Sequence, residues 1–273
     1  MDATLPPWLV LQRGDAPLLI SLPHPGTGLA DLEPRLVSPA LARHDTDWWL
    51  PQLYEFALAM GATLLRTTLS RTVVDLNRDP SGASLYPGQA TTGLCPTETF
   101  DGLPLYRDGQ APGAAEVERR RDTWHAPYHA VLRAELTRLR ARHPKVVLYD
   151  GHSIRSRVAR LFDGELPLYN LGTNGGASAD AELAAQVAQV LADSGQPHVV
   201  NGRFKGGWIT RHHGRPAEGV HALQMELACR GYMAEPDPLG VDTWPTPYDP
   251  VRAEPTRRTL HEVLNTALRW ARA

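Results

Sequence analysis

Short apolar runs alternate with longer helical periodicities along this chain. Pro17–Leu22 (PLLISL) is one such run; it predicts a buried strand that ends at the polar turn His24-Pro25-Gly26-Thr27-Gly28. From about Pro39 to Met60, Trp49, Leu53, Phe56 and Met60 recur every three or four residues. That spacing predicts a largely helical stretch, bent at Pro51 and stopped by Gly61. Ala62–Leu69 and Thr72–Leu76 read as two strands. Residues 79–113 are rich in Gly, Pro and Thr, a loop long enough to be functional or mobile. Ala114–Arg142 is the longest helical pattern, and Pro127 should kink or divide it. Val146–Tyr149 reads as a strand running into Asp150-Gly151-His152-Ser153. Ala179–Leu191 follows as a helix, Pro197–Phe204 and Ala222–Leu227 as strands, and Thr256–Ala271 as a closing helix; the Pro-rich Glu235–Pro250 is a surface excursion. This alternation predicts a single-domain α/β fold in which a mixed or mainly parallel central sheet is flanked by helices.

Composition narrows the function classes. The 273 residues are 42% hydrophobic and 21% charged, the balance of a globular chain, which excludes wholesale disorder. With 28 Lys+Arg against 30 Asp+Glu there is neither a basic nucleic-acid footprint nor a charge surplus for a membrane surface. Lys occurs only at positions 145 and 205, so nearly every cation is an Arg, which suits carboxylate recognition but is equally the mark of GC-rich coding. Cys95 and Cys229 are too few for a disulfide framework or a thiolate metal site. Met1–Pro17 has no leader pattern and no 18-residue apolar stretch exists, so the expectation is a soluble cytoplasmic protein. No oligomeric state can be read.

Ligands of open α/β sheets gather beyond the carboxyl ends of strands. His24, Asn77-Arg78, Asp150 with His152, and Glu226 all stand at or near such ends. Two histidines after apolar runs could ligate a metal with a carboxylate as third ligand, the open position being left for water. Asp45 and Asp47 both qualify, although either also suits a helix N-terminus. A lone His after a strand is more often simply hydrogen-bonded, and no close-range HExxH spacing is present. Glu226, between Met225 and Leu227, is either a buried partner for an Arg or a general base. Arg71 and Arg78 could hold an anion or could pair with Asp75 and Asp79. Of the adjacent His212 and His213, at most one would face a site. Gly172-Thr173-Asn174-Gly175-Gly176 lacks the phosphate-loop Lys, and there is no GxSxG elbow, so phosphate binding and covalent catalysis are disfavoured.

Taken together, seven segments are similar to the N-formylglutamate deformylase (amidohydrolase) family. They are Ser21-Leu22-Pro23-His24-Pro25-Gly26, Asp45-Thr46-Asp47-Trp48, Ser70-Arg71 through Pro80, Asp150-Gly151-His152-Ser153, Asn170-Leu171-Gly172-Thr173-Asn174, Gly207-Trp208-Ile209-Thr210-Arg211 and Gln224-Met225-Glu226-Leu227. The resemblance spans about residues 17–270. It implies a fold similar to zinc carboxypeptidases and hydrolysis of N-formyl-L-glutamate to formate and L-glutamate in histidine degradation. It further implies one divalent metal, Zn(II) or alternatively Fe(II), Co(II) or Mn(II), on His24, Asp47 and His152. By the same motif match, Glu226 is the general base, and Arg71, Asn77, Arg78 and Arg211 bind the substrate. The rival readings are a metal-dependent deacylase or peptidase for another N-acyl amino acid, and a non-catalytic dicarboxylate-binding module.

Overall fold

The computed structural model describes residues 5–237, 239–240 and 242–273. Residues 1–4 of the start read for a leader, and positions 238 and 241 of the Pro-rich excursion, lie outside them.

Seven strands form one sheet: β1 (Leu9–Gln12), β2 (Leu18–Leu22), β3 (Thr63–Thr67), β4 (Val146–Ile154), β5 (Tyr169–Gly172), β6 (His198–Val200) and β7 (Val220–Ala228). Their order is β1-β3-β2-β4-β7-β5-β6. β3, β2, β4 and β7 run parallel; β1 and β5 are antiparallel to their inner neighbours. The sheet is therefore mixed, as the alternation of elements predicts. Every residue of β2, β4 and β7 is buried, because helices cover both faces of a parallel sheet. Alternation divides the side chains between two cores. Leu18, Ile20, Leu22, Val147 and Tyr149 pack on one face with α2 (Leu50–Leu53), α5 (Ala181–Asp193) and α7 (Pro250–Arg272). Leu19, Leu65, Val146 and Leu148 pack on the other with Tyr128, Leu132 and Leu136 of α4 (Ala126–Arg140). Each such fully buried side chain contributes about 1.5–3 kcal/mol.

The chain after β2 leads to β3 on one side, whereas β4 is paired on the other side with β7, so the connections diverge between β2 and β4. The resulting crevice is where an open sheet binds ligands.

Several elements depart from the sequence reading, among them the Asp47 loop, the turns at 72–76 and the extension of β4, which lie at this crevice. The expected helix Pro39–Met60 breaks into α1 (Pro39–Ala42), α2 and a 3-10 turn at Glu55–Leu58. Between α1 and α2 the amide of Asp47 donates to the His24 carbonyl at 3.0 Å, and Trp49 takes φ 62°, an uncommon conformation for a bulky residue. The expected strand Thr72–Leu76 is a series of turns. Ser70 and Thr72 hydroxyls bond the Ala42 carbonyl and the Asp75 carboxylate accepts the Asn77 amide, so side chains replace the ladder. The strand expected to stop at Tyr149 runs on to Ile154, carrying His152 inside β4 rather than after it. β1, β5 and α6 (Trp208–His213) were not expected, and the strand at 197–204 is cut to three residues by Asn201 at φ 53°. Around Pro127 the long helix divides into α3 (Ala114–Arg120), a π-helical turn at Arg121–His125, and α4, whose first turn holds the proline. α7 starts six residues earlier than expected because Asp249 caps it, accepting from the amides of Val251 and Arg252.

Candidate active site

Four parallel strands deliver the site. His24 follows β2, Asp47 is in the loop beyond it, Arg71 through Arg78 follow β3, Asp150 and His152 share one side of β4, and Glu226 lies on β7 directly opposite His152 in register.

The ring centroids of His24 and His152 are 5.0 Å apart. Asp47 Oδ2 lies 3.2 Å from His152 Nδ1 and 3.7 Å from His24 Nδ1. One ligand atom from each of His24, Asp47 and His152 falls within 4.8 Å of the others, a group that could hold a metal ion. Asp45, the other acid considered, is occupied elsewhere. Its carboxylate accepts the Phe100 amide at 2.7 Å and faces Arg155 at 3.3 Å.

The far nitrogen of each ring is also held. His24 Nε2 is 2.8 Å from Asp75 Oδ1, and His152 Nε2 is 3.0 Å from Asp150 Oδ2. An ionised carboxylate only accepts, so His24 carries its proton on Nε2 and leaves Nδ1 on the Asp47 side, whereas His152 stands between two carboxylates, Asp150 at Nε2 and Asp47 at Nδ1, with Asn77 Nδ2 2.9 Å from its Nε2. His24 Nδ1 is buried without a hydrogen-bond partner. A buried lone pair of that kind, next to a second imidazole and a carboxylate, fits a divalent cation. The charge balance fits as well. Burial opposes ionisation of Asp47, yet the adjoining imidazoles of His152 and His24 bring its pKa below the ordinary range. Asp75 is likewise held well below it: Arg78, His24 and Arg71 outweigh its burial. His152 is raised well above normal, since Asp150, Asp47 and Glu226 outweigh the cost of burying its charge. Asp75 was expected only as an ion-pair partner for an Arg, and Asp150 was placed at a strand end but given no role. The signal for Asp150 was its two-residue spacing from His152, which puts both on one face of a strand.

A cleft of about 580 Å³, open mouth included, lies over this cluster. It is lined by His24, His152, Arg71, Asn77, Arg78 and Glu226, all expected at the site. Glu226 is buried, and its carboxylate has no hydrogen-bond partner among the described residues. Burial, reinforced by Asp47 and Asp150 against the pull of His152 and Arg71, pushes its pKa up to about 8. Arg71 reaches Asp75 at 2.7 Å and Asp47 at 3.5 Å, stacks on Phe100, and keeps a buried Nε–H with no partner. Arg78 donates to the Thr92 carbonyl at 2.9 Å and stands 3.8 Å from Asp75. Asn77 is pinned at every polar atom of its side chain: Nδ2 donates to Asp150 at 3.1 Å and Oδ1 accepts the Ile209 amide at 2.7 Å. Gly207 makes that seat, because a Cβ there would sit 2.4 Å from Asn77 Nδ2.

Arg211, expected among the substrate binders, does not line the cleft. Its guanidinium donates to the carbonyls of Gly206 and Leu85 and stacks on Tyr86. Another cation takes part instead: Arg203, from the loop after β6. The long 79–113 segment supplies Tyr86, Ala90, Thr91, Thr92 and Phe100 to the wall, so it belongs to the site.

Taken together, an amide-sized cleft holds an acidic residue of raised pKa beside a cation-seeking cluster, under several guanidiniums, and such a site can polarise and hydrolyse an anionic substrate. Comparison with known proteins agrees. The family model described as N-formylglutamate amidohydrolase matches residues 16–233, and the chain belongs to that family. It is 50% identical over 266 residues to an N-formylglutamate deformylase of Pseudomonas aeruginosa, covering 97% of both chains. It is 46% identical over 264 residues to one from Pseudomonas putida, covering 96% of both. A crystal structure of N-formylglutamate amidohydrolase from Ralstonia eutropha JMP134 superposes with TM-score 0.76 at 27% identity, over 97% of this chain and 98% of that one.

Proposed function

We propose that this protein hydrolyses N-formyl-L-glutamate to formate and L-glutamate with one divalent metal, zinc in first place, on His24, Asp47 and His152. The observation that carries the reading is the convergence of those three side chains within 4.8 Å, with Glu226 opposite His152 in register. The named activity of relatives 50% and 46% identical over nearly the whole chain supports the substrate. Two imidazoles and a carboxylate also suit Fe(II), Co(II) or Mn(II). The bound ion would polarise the formyl carbonyl and lower the pKa of a water molecule.

The remaining work falls to side chains of this chain. Glu226 takes a proton from the attacking water as the oxygen bonds to the formyl carbon. It then delivers that proton to the amine nitrogen as the C–N bond breaks, leaving formate and glutamate. Its raised pKa suits both halves of that exchange near neutral pH. With an ion held at Nδ1, Asp75 and Asp150 would accept from the Nε2–H of the two imidazoles and keep the rings turned toward it. Arg71, with a free Nε–H, and Arg78 hold substrate oxygens, and Asn77 keeps the loop that bears them in place. The same reading makes the protein a cytoplasmic enzyme of histidine degradation.

The test joins elemental analysis of purified protein with a formate-release assay. Glu226→Gln should keep about one metal per chain and lose roughly 10²–10⁴-fold in kcat. Retained turnover would reject the base assignment. A preference for N-acetyl- or N-succinyl-glutamate over the formyl compound would favour another deacylase. Turnover that survives complete chelation would refute the metal.

A further inference from the structure

The three guanidiniums that line the cleft are not equivalent. Arg71 and Arg78 both lie within 4 Å of Asp75, the carboxylate that also holds His24. Their charge is largely spoken for inside the protein. Arg203 has no carboxylate of the described residues within ion-pair distance. Its protein partners are two backbone carbonyls, Leu161 from Nε and Ala90 from Nη2, both at 2.8 Å. Nη1 has no hydrogen-bond partner among the described residues. The guanidinium is held by those two bonds and by the rings of Tyr86 and Phe204, whose centroids lie 5.3 Å and 5.5 Å away. Burial, together with the like charge of Arg78, makes its positive charge costly and lowers its pKa. A half-buried cation without a counter-ion, facing a cleft, is a site that an incoming carboxylate completes.

The proposed substrate carries two carboxylates. The tied pair, Arg71 and Arg78, stands beside the ligand cluster through Asp75; Arg203 enters from another loop beside the apolar walls of Leu161 and Phe204. We infer that Arg203 receives the side-chain carboxylate of the substrate, the one farther from the formyl amide. Arg203 thereby makes the enzyme select an acidic N-formyl amino acid over its neutral isostere. This rests on the hydrolytic reading above.

The test compares N-formyl-L-glutamate with N-formyl-L-glutamine, which replaces that carboxylate by an amide of the same shape. The wild-type protein should favour the glutamate compound in kcat/KM by about thirtyfold or more, mostly through KM. Arg203→Gln should lose at least about thirtyfold on the glutamate compound and stay within about threefold on the glutamine compound. Arg203→Lys, which keeps the charge, should restore much of the preference even if the Gln variant folds poorly. A wild-type enzyme that turns over both compounds equally would overturn the inference and leave the hydrolytic reading intact. So would an Arg203→Gln variant that slows both substrates alike, the mark of a mere clamp between the Leu161 and Ala90 loops, or a Lys variant that has lost selectivity. Absence of formate release from either compound by metal-loaded wild type would instead bring down the hydrolytic reading, and the inference with it.

Discussion

Two groups of buried histidines stand on the same loop from opposite sides, and burial has made different things of them. In the site, His24 and His152 have a carboxylate on the far nitrogen of each ring. Behind the site, His125, His129 and His213 have none. His125 Nε2 donates to the Arg78 carbonyl at 3.0 Å, His129 Nε2 donates to the Leu76 carbonyl at 2.9 Å, and His213 Nε2 faces His129 Nδ1 at 2.9 Å. The two carbonyls flank Asn77, so the second group pins the loop that presents Asn77 and Arg78 to the cleft. Here burial dominates: it lowers the pKa of His125, takes His129 well below normal, and brings His213 down to about 3. A carboxylate partner makes a buried imidazole electron-rich and a better ligand, whereas a carbonyl partner leaves it a neutral donor that fastens backbone.

The largest expected effect lies in the first group. His24→Ala and His152→Ala should each lose stoichiometric metal and detectable formate release while keeping the fold; full metal occupancy in either would refute its assignment as a ligand. Acid should then separate the two groups. The depressed histidines bind fewer protons folded than unfolded, so their contribution to stability is complete above about pH 6.5 and is lost as pH falls toward their folded values. For His213 that window reaches down to about pH 3. By pH 5 the loss amounts to about 2 kcal/mol per fully depressed histidine, visible in denaturant melts. Glu226, raised to about 8, adds stability as pH falls over the same range, so the check is the difference between wild type and His213→Leu: an equal change from pH 7 to pH 5 in both would contradict the neutral assignment. Asp150→Asn removes the carboxylate from His152 and should weaken metal affinity or activity about 10–100-fold. An unchanged titration with metal would mean that the ring does not depend on it. Smallest in its effect on chemistry is His129→Leu, which leaves the Leu76 carbonyl unpaired. It should cost about 1–3 kcal/mol of stability with metal content unaltered. Loss of metal in that variant would erase the distinction between the groups.

Much of the scaffold was legible. β2 and the start of β4 are unbroken apolar runs, and such runs in alternation with helical periodicity leave little freedom about a parallel sheet covered on both sides. Legibility failed where polar side chains replace the ladder or the helix. Thr72–Leu76 has the composition of a strand, but Ser70, Thr72 and Asp75 spend their side chains on turns. The helix expected through Asp47 gives way to a left-handed Trp49 because the loop has to bring a carboxylate to two imidazoles. His125 and His129 carried no signal, since a histidine on a helix face looks the same whether it meets water or a carbonyl, and His213 was read only as one of a pair of which at most one would face a site. Arg203, which lines the cleft, was passed over because one Arg in a loop looks like any other, while Arg211 lies outside the lining.

The amino-acid sequence determined which residue types were available and the hydrophobic periodicity that stacks them: two histidines, several acids and many arginines at the ends of apolar runs. Only the tertiary structure decided which of them meet. Asp47 and Asp45 are two residues apart, yet one faces a pair of imidazoles and the other an arginine and a backbone amide. Local periodicity sets the face on which a side chain lies, but a site assembled from four strands depends on register and loop path, which long-range packing sets.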